Sequence, residues 1–564
     1  MNENRRFADV PAPASPAAPQ TPYAPRVSQV PQAPAARPVP GSEPWQFAPP
    51  PPREPVPAAL HDGGLALAVY LAAWCFLRLG WSGYLGLGMF LFTAAFAGMA
   101  LLYRRLGGLP IPRGSFLWLG VMALSALSFP LRENGLIAWL NLLFLMAVTV
   151  YWVAVLSGTR VEDRLGDCLP ADLWNQFCIV PFQNFGCWGS VVKNTFAKTR
   201  LGKNLLTGAL ALLCSFPVLW FVCTELSSAA AGFGTLMKEL GDLISLETIL
   251  SPTTLLAVPT AFYLFGLLYG CQHKRYTGTF TREKLEEAAE KRRILPRAAA
   301  YALLAVLCVI YLLFFITGAA ELVTFTRGRA LTPYDYSRFA REGFFELCRV
   351  SVVNLLVLLG VRLLLDEPDR RPSAPTGIFH SVLCCQTLLL IALALCKMGL
   401  YIRCCGVTWL RVCTTWFMVL LAVIFGLLLF DCFKKIPLTR WAASSFCALF
   451  LLLVWMDVDG LVVRNAIWRY EELGDASAIT YGDLRDSAGA AVPDLYALWE
   501  RESAKESSPV LPELERLLAR VGAYANTSTE ARYYDSFAHW NLQRSRARSL
   551  TRGFVPAAEQ EYPR

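Results

Sequence analysis

Charge is scarce in this chain. Asp, Glu, Lys and Arg make up 17% of its 564 residues, against about 25% in soluble domains, which excludes an ordinary cytosolic enzyme. Histidine is scarcer still. Only His61, His273, His380 and His539 occur, each isolated, so zincin motifs, histidine-rich metal sites and a Ser-His or Cys-His arrangement within one segment are absent. The 17 cysteines include no C-x-x-C pair. Cys214, Cys223, Cys308, Cys396 and Cys447 sit within apolar runs, where cysteine behaves as a small hydrophobe. The vicinal pairs Cys384-Cys385 and Cys404-Cys405 have no histidine or second cysteine pair at ligand spacing. No metal or cofactor is expected. No nucleic-acid-binding signature accompanies the formal net charge of +9, so nucleic acid is not an expected partner and anionic lipid is.

What the chain has in excess is apolar sequence, 55% of the total, gathered into runs of near twenty residues that can cross a hydrocarbon core of about 30 Å as helices. The expected fold is all-α, a polytopic transmembrane helical bundle with the lipid bilayer as its first partner. About eleven spans are expected, near residues 63–80, 83–103, 115–130, 135–157, 205–224, 253–271, 298–325, 344–365, 379–398, 412–430 and 440–457.

Three regions follow. Residues 1–60 hold nearly half of the 36 prolines and should form a disordered, polyproline-II-rich arm. It has no short apolar region followed by a small-residue cleavage site, so the first span should be retained as the insertion signal. Residues 61–460 form the transmembrane helical domain, and 461–564 a small soluble helical tail that offers a surface for a protein partner. In the tail, Pro493 to Leu498, Leu511 to Val521, and Thr529 to about Arg552 are the expected helices.

The polar stretches 158–204 and 272–297 are rich in Lys and Arg and should face the cytoplasm with the N-terminus, where they meet anionic lipid. Cytoplasmic segments then carry roughly 27 Lys/Arg and external loops roughly 10. Eleven spans leave the C-terminus outside the cell membrane. Residues 172–197 interleave Trp174, Phe177, Phe182, Phe185, Trp188 and Phe196 with polar residues, as in a segment lying in the headgroup layer. A re-entrant hairpin turning at Pro181 and Gly186 is the alternative.

Charges at the edges of spans are the informative residues, because each is costly unless paired or hydrated. Three strings carry them. The first opens the eighth span, with Tyr336, Arg341, Glu342, Glu346 and Arg349; the spacing puts Glu342, Glu346 and Arg349 on one helical face. Asn354 and Arg362 lie deeper along that helix and need interior partners. The second joins the ninth and tenth spans, with Tyr401, Thr408 and Arg411. The third closes the last span, with Asp457, Asp459, Arg464 and Asn465. By parity all three open on the outer face.

The strings Y-x-x-x-A-R-E-G-F-F-E-L at 336–347, Y-x-x-x-x-G-x-T-x-x-R at 401–411 and D-x-x-x-x-R-N at 459–465 resemble an uncharacterised family of bacterial polytopic membrane proteins, catalogued only as a domain of unknown function. The resemblance covers roughly residues 200–500. It implies a multi-helix membrane core with a short soluble tail, but no reaction, substrate or cofactor. Phe339 stands where a second Tyr would be expected, and the proline arm is a further departure.

Two roles compete for these residues. In one they line an outer polar site for a lipid headgroup, a small anion or an effector. In the other, Arg341, Arg411 and Arg464 pair with Glu342, Glu346 and Asp459 as interhelical clamps. A sensor, regulatory or scaffold membrane protein accounts for most features and requires no missing chemistry. A transporter of a small molecule or lipid is the first alternative. An enzyme is disfavoured, its one candidate being a membrane-embedded sugar transferase that would use the Asp457/Asp459 D-x-D.

Overall fold

The computed structural model describes residues 58–80, 85–132, 135–198, 252–328, 344–366, 374–480, 488–526 and 539–552, together with Val56, Leu484 and Phe554. The expected span near 205–224 and nearly all of the expected N-terminal arm lie outside them. The described residues are helical, with no strand, and nine helices among them are long and apolar enough to cross a membrane. A helix satisfies its own backbone, which is why apolar runs of this length take no other form in hydrocarbon.

In chain order the first helices are α1 (Leu60–Gly80), α2 (Leu87–Leu106), α3 (Ser115–Leu131) and α4 (Gly135–Ser157). Then come α8 (Pro252–Gln272), α10 (Arg297–Gly328), α11 (Phe344–Leu364), α12 (Ala374–Cys405), α13 (Trp409–Phe433) and α14 (Leu438–Trp455). At 17 residues α3 is the short one. These ten helices coincide with ten of the eleven expected spans, and the chain is a multi-pass membrane protein. Between them lie α5 (Leu169–Trp174), α6 (Val180–Gln183), α7 (Cys187–Lys198) and α9 (Arg282–Lys291). The C-terminal region is α15 (Val458–Leu473), α16 (Ser477–Thr480), α17 (Val492–Ser503), α18 (Leu511–Asn526) and α19 (Leu542–Thr551).

The apolar side chains gather into three cores. The first joins α1–α4, α7, α8 and α14 around Val69, Phe96, Trp152, Phe265 and Tyr269. A second joins α10–α13 around Leu304, Leu358, Leu383, Met418 and Phe425. The third lies within α15–α19, around Val463, Val492, Leu495, Leu514 and Leu518. In the second core, Tyr311 donates to Asn354 (2.6 Å) and Asn354 donates to Thr387 (2.9 Å). Arg362 meets Asp431 at 2.8 Å. These are the interior partners that Asn354 and Arg362 require, since a polar group in a span must be matched within the bundle.

Cross-chain contacts define two ends of the bundle. At one end, the basic-loop end, Asp62 of α1 meets Tyr103 of α2 and His273 after α8. There Thr439 of α14 also bonds Asp167, and Leu295 bridges to Leu365. At the other, the tail end, Leu87 at the start of α2 donates to the Trp540 carbonyl (3.0 Å). Asn541 donates to the Phe129 (2.8 Å) and Arg132 (3.0 Å) carbonyls at the end of α3.

Two local expectations change. Pro181 sits inside α6, and the turn of the hairpin is formed by residues 184–186. A π-helical turn over Asn175–Ile179 precedes α6. The reason this segment packs where it does lies in α8, whose Gly266 and Gly270 form a G-x-x-x-G face. A Cβ on Gly266 would lie 2.4 Å from the Pro181 carbonyl oxygen, and one on Gly270 2.4 Å from the Asn184 side chain. Only hydrogen fits, as where helix backbones approach closely. In the tail, the helix expected from Thr529 to Arg552 is broken before Leu542, where Asn541 caps α19 by accepting from the Gln543 (3.0 Å) and Arg544 (3.2 Å) amides. An Asn side chain closing the first turn in this way competes with continuous helix. Residues 529–538 lie outside the described set.

Candidate functional site at the tail end, and a buried polar layer opposite

Tyr336, Arg341 and Glu342 lie outside the described residues. Glu346 and Arg349, on the first turns of α11, pair with each other at 3.0 Å on the surface. Among the described residues they meet no other string residue in an ion pair.

The second and third strings do meet. Helix α12 ends at Cys405, and Gly406 follows in the left-handed region (φ 77°), the usual means of turning the chain out of a helix. The Asn465 side-chain oxygen accepts from the Val407 amide (2.8 Å). Arg469, one turn further along α15, donates to the Arg403 (3.1 Å) and Cys404 (3.0 Å) carbonyls. Arg411 donates to the Cys405 and Gly406 carbonyls and stacks over the Tyr401 ring, 3.9 Å from its centroid. The guanidinium groups thus occupy carbonyls that a helix C-terminus leaves without partners. Thr408 is the N-cap residue of α13 and makes no side-chain capping bond.

A second node forms around Asp457. It caps α15 by accepting from the Gly460 amide (3.3 Å). It also accepts from Arg464 (3.0 Å) and Gln543 of α19 (3.1 Å), and lies 3.8 Å from Arg132 after α3. One carboxylate therefore joins a span end, the start of the tail and its last helix. Arg464 pairs with Asp457 and with Asp494 (3.5 Å). Asp459 is buried in the first turn of α15.

Arg464 also opens a groove of about 230 Å³ between α15 and α17, lined by Trp468, Glu471, Asp494 and Arg501. The Trp468 ring is half exposed, and Arg501 pairs with Glu471 at 2.7 Å. Beneath the groove the tail is held by polar bonds. Burial works to raise the Glu502 carboxyl, but bonds from Lys505, Ser508 and Tyr470 outweigh it and hold it below the ordinary glutamate range. Bonds from Ser477 and Arg469 likewise hold Asp475 low.

The opposite end carries a buried polar layer that no string announces. Asp62 is fully buried and accepts from the Ala59 amide (2.8 Å), the Tyr103 hydroxyl (2.5 Å) and His273 (3.0 Å). Gln176, in the π-helical turn, donates to Thr159 (2.8 Å) and accepts from Cys271 (2.9 Å). Asn184 accepts from Arg275 (3.3 Å). Asp172 accepts from the Val161 amide (2.8 Å), yet burial pushes its carboxyl up to about 6. Burial and the neighbouring Glu162 push the Cys168 thiol up to about 11, so it stays protonated and unreactive at neutral pH. The G-x-x-x-G of α8 is the sequence signal that could have drawn attention here.

A family model, described as a domain of unknown function (DUF4153), matches residues 119–498. The chain belongs to this family. The DUF4153 region begins in α3, well before the stretch over which the three strings suggested a resemblance, and ends in α17. It therefore takes in the hairpin, all three strings and the groove except for Arg501, and leaves α18 and α19 beyond it. No curated protein and no solved structure matches the chain.

Proposed function

We propose that this integral membrane protein is a sensor or regulatory protein whose C-terminal helices form a polar ligand site on the outer face of the membrane. The Lys/Arg excess of the basic-loop end supports a cytoplasmic placement for that end, which puts the tail outside. The observation that carries the proposal is the shared guanidinium of Arg464. It bonds Asp457, which ties tail to spans, and also Asp494 in the groove. A ligand anion that engages Arg464 in the groove competes with Asp457, so occupancy is read at the joint.

The lining suggests the ligand class. Two guanidinium groups, two carboxylates and a half-exposed indole suit a small zwitterion, with its anion on Arg464 and Arg501 and its ammonium over Trp468 beside Glu471. A free zwitterion and a zwitterionic lipid headgroup share that chemistry. The sugar-transferase alternative is less favoured, because the Asp457 oxygens are already engaged by Gly460, Arg464 and Gln543.

The test is thermal unfolding of the full chain in nanodiscs with phosphoethanolamine, phosphocholine or glutamate as probe. At least one should raise Tm in the wild type and fail to do so in Arg464→Gln and Arg501→Gln. No response to any of the three sinks the proposal. Flux of a responding probe into reconstituted vesicles would instead make the protein a transporter.

A further inference from the structure

Asp62 is a carboxylate buried in a span, with no lysine or arginine among the described residues within ion-pair distance of it. The cations within ion-pair distance are His61 (3.7 Å) and His273 (3.0 Å). A buried carboxylate paired with histidine makes the closed arrangement depend on a proton, since histidine changes charge between about pH 5 and 8. We propose that Asp62, Tyr103 and His273 form a proton-operated latch at the basic-loop end. With His273 protonated, the ends of α1, α2 and α8 are held together; once the proton is lost, the turn after α8 is released.

Three features carry this. First, the three residues stand on three different elements: the first turn of α1, the last turn of α2 and the residue after α8. Asp62 is their common point. Second, the turn that His273 anchors is strained. Lys274 (φ 53°) and Tyr276 (φ 58°) are non-glycine residues in the left-handed region, which a side chain disfavours. The amides of His273 (3.0 Å to the Tyr269 carbonyl) and Arg275 (2.8 Å to the Gly270 carbonyl) hold that turn against α8, and they lose protection when it lets go. Third, the described surroundings offer no substitute charge. From α2, Arg104 is directed to the Pro110 carbonyl (3.1 Å). From α8, the Tyr269 ring lies 4.5 Å from the His273 ring, and beyond it Arg275 bonds Asn184. From α7 the nearest group is the uncharged Thr195, against Gly63. His61, on α1, is the remaining titratable neighbour, its ring 5.7 Å from that of Tyr103.

The test is hydrogen exchange of the full chain in nanodiscs at pH 6 and pH 8, normalised for intrinsic exchange and read on peptides covering 59–66 and 270–281. Histidine changes charge between about pH 5 and 8, so opening should be several-fold more frequent at pH 8 than at pH 6 in the wild type. His273→Gln should open at both pH values, while His61→Gln should keep the wild-type pH dependence. Asp62→Asn, which removes the charge that needs neutralising, should lose the dependence whether or not His273→Gln folds. Equal protection of the wild type at both pH values overturns the latch, as does pH dependence that survives in Asp62→Asn. Loss of the dependence in His61→Gln alone would also overturn it, by moving the proton to the wrong histidine.

Discussion

The two ends of this molecule are polar in different ways. At the tail end, Arg411, Asn465 and Arg469 are turned on backbone groups of α12 and the loop after it, and Arg464 is half exposed. At the basic-loop end, a carboxylate with no exposed surface is held by a tyrosine and a histidine, beneath a hairpin seated on two glycines. The first arrangement joins helices by satisfying helix ends, which water or another side chain can also do. The second closes its carboxylate away from water, so a tyrosine and a histidine must satisfy it. Charge density in a sequence therefore marks where a chain is wet, while the tightly constrained polar groups stand singly.

The largest expected effect breaks the constrained end. Gly266→Val places branched carbons where the Pro181 carbonyl already sits, and the hairpin must leave the G-x-x-x-G face of α8. A loss of about 3 kcal/mol is expected, at the upper end of overpacking costs. Gly98→Ala in α2 is the control, since nothing lies within 4 Å of its added carbon, and it should leave Tm unchanged or slightly raised. If both variants melt alike, the hairpin is not seated as described.

At the tail end the corresponding cut is Asp457→Ala. It removes an N-cap, the Arg464 pair and the Gln543 bond together. About 2 kcal/mol should be lost, the cost of a cap and a charge-assisted bond at a partly hydrated site. The loss should appear as protease cleavage between α15 and α19, with the spans still folded. Loss of span packing as well would mean that the Asp457 node organises the bundle rather than docks the tail.

The fold was largely legible because its signal is long and repetitive. Ten apolar runs became ten helices. Asn354 and Arg362, read as needing interior partners, have them in Tyr311, Thr387 and Asp431. The pairings themselves were not legible. Arg464 reaches Asp457, which the cap geometry of α15 brings to it, and Asp494 of α17. Asp62, Tyr103 and His273 are separated by 41 and 170 residues along the chain, and no local pattern joins them; only the antiparallel crossing of α1, α2 and α8 does.

Acid should separate the two ends by sign. Asp172 has a folded value of about 6 against about 3.9 unfolded, so its ionisation opposes folding above pH 6. That penalty disappears as pH falls from above 6 toward 4. Glu502 is held below its unfolded value of about 4.3, so its contribution is complete above that pH and is lost as pH falls through its lower folded value. Thermal melts between pH 7.5 and 3 should therefore show a gain first and a loss after. Asp172→Asn should reduce the gain, leaving what protonation of the His273 latch supplies, and add about 1 kcal/mol at pH 7.5, while Glu502→Gln should reduce the acid loss, which Asp475 shares. A gain undiminished in Asp172→Asn would assign it to another group.

The smallest effect is expected at the pair that the sequence made most conspicuous. Glu346 and Arg349 close the first string at the i, i+3 spacing of a helical ion pair, and they do form one. Both side chains are well exposed, however, at 60% and 75%, and water screens such pairs to between about 0 and 1 kcal/mol. Glu346→Gln should therefore shift stability by less than about 0.5 kcal/mol at physiological salt. The more informative reading is binding: because neither residue touches the groove, the substitution should leave the response to phosphoethanolamine, phosphocholine and glutamate as it is in the wild type. A large loss of stability would instead place Arg341 or Glu342 on the same face as a working partner, and would make the first string a clamp in its own right. A loss of probe response with stability intact would extend the ligand site from the groove to α11.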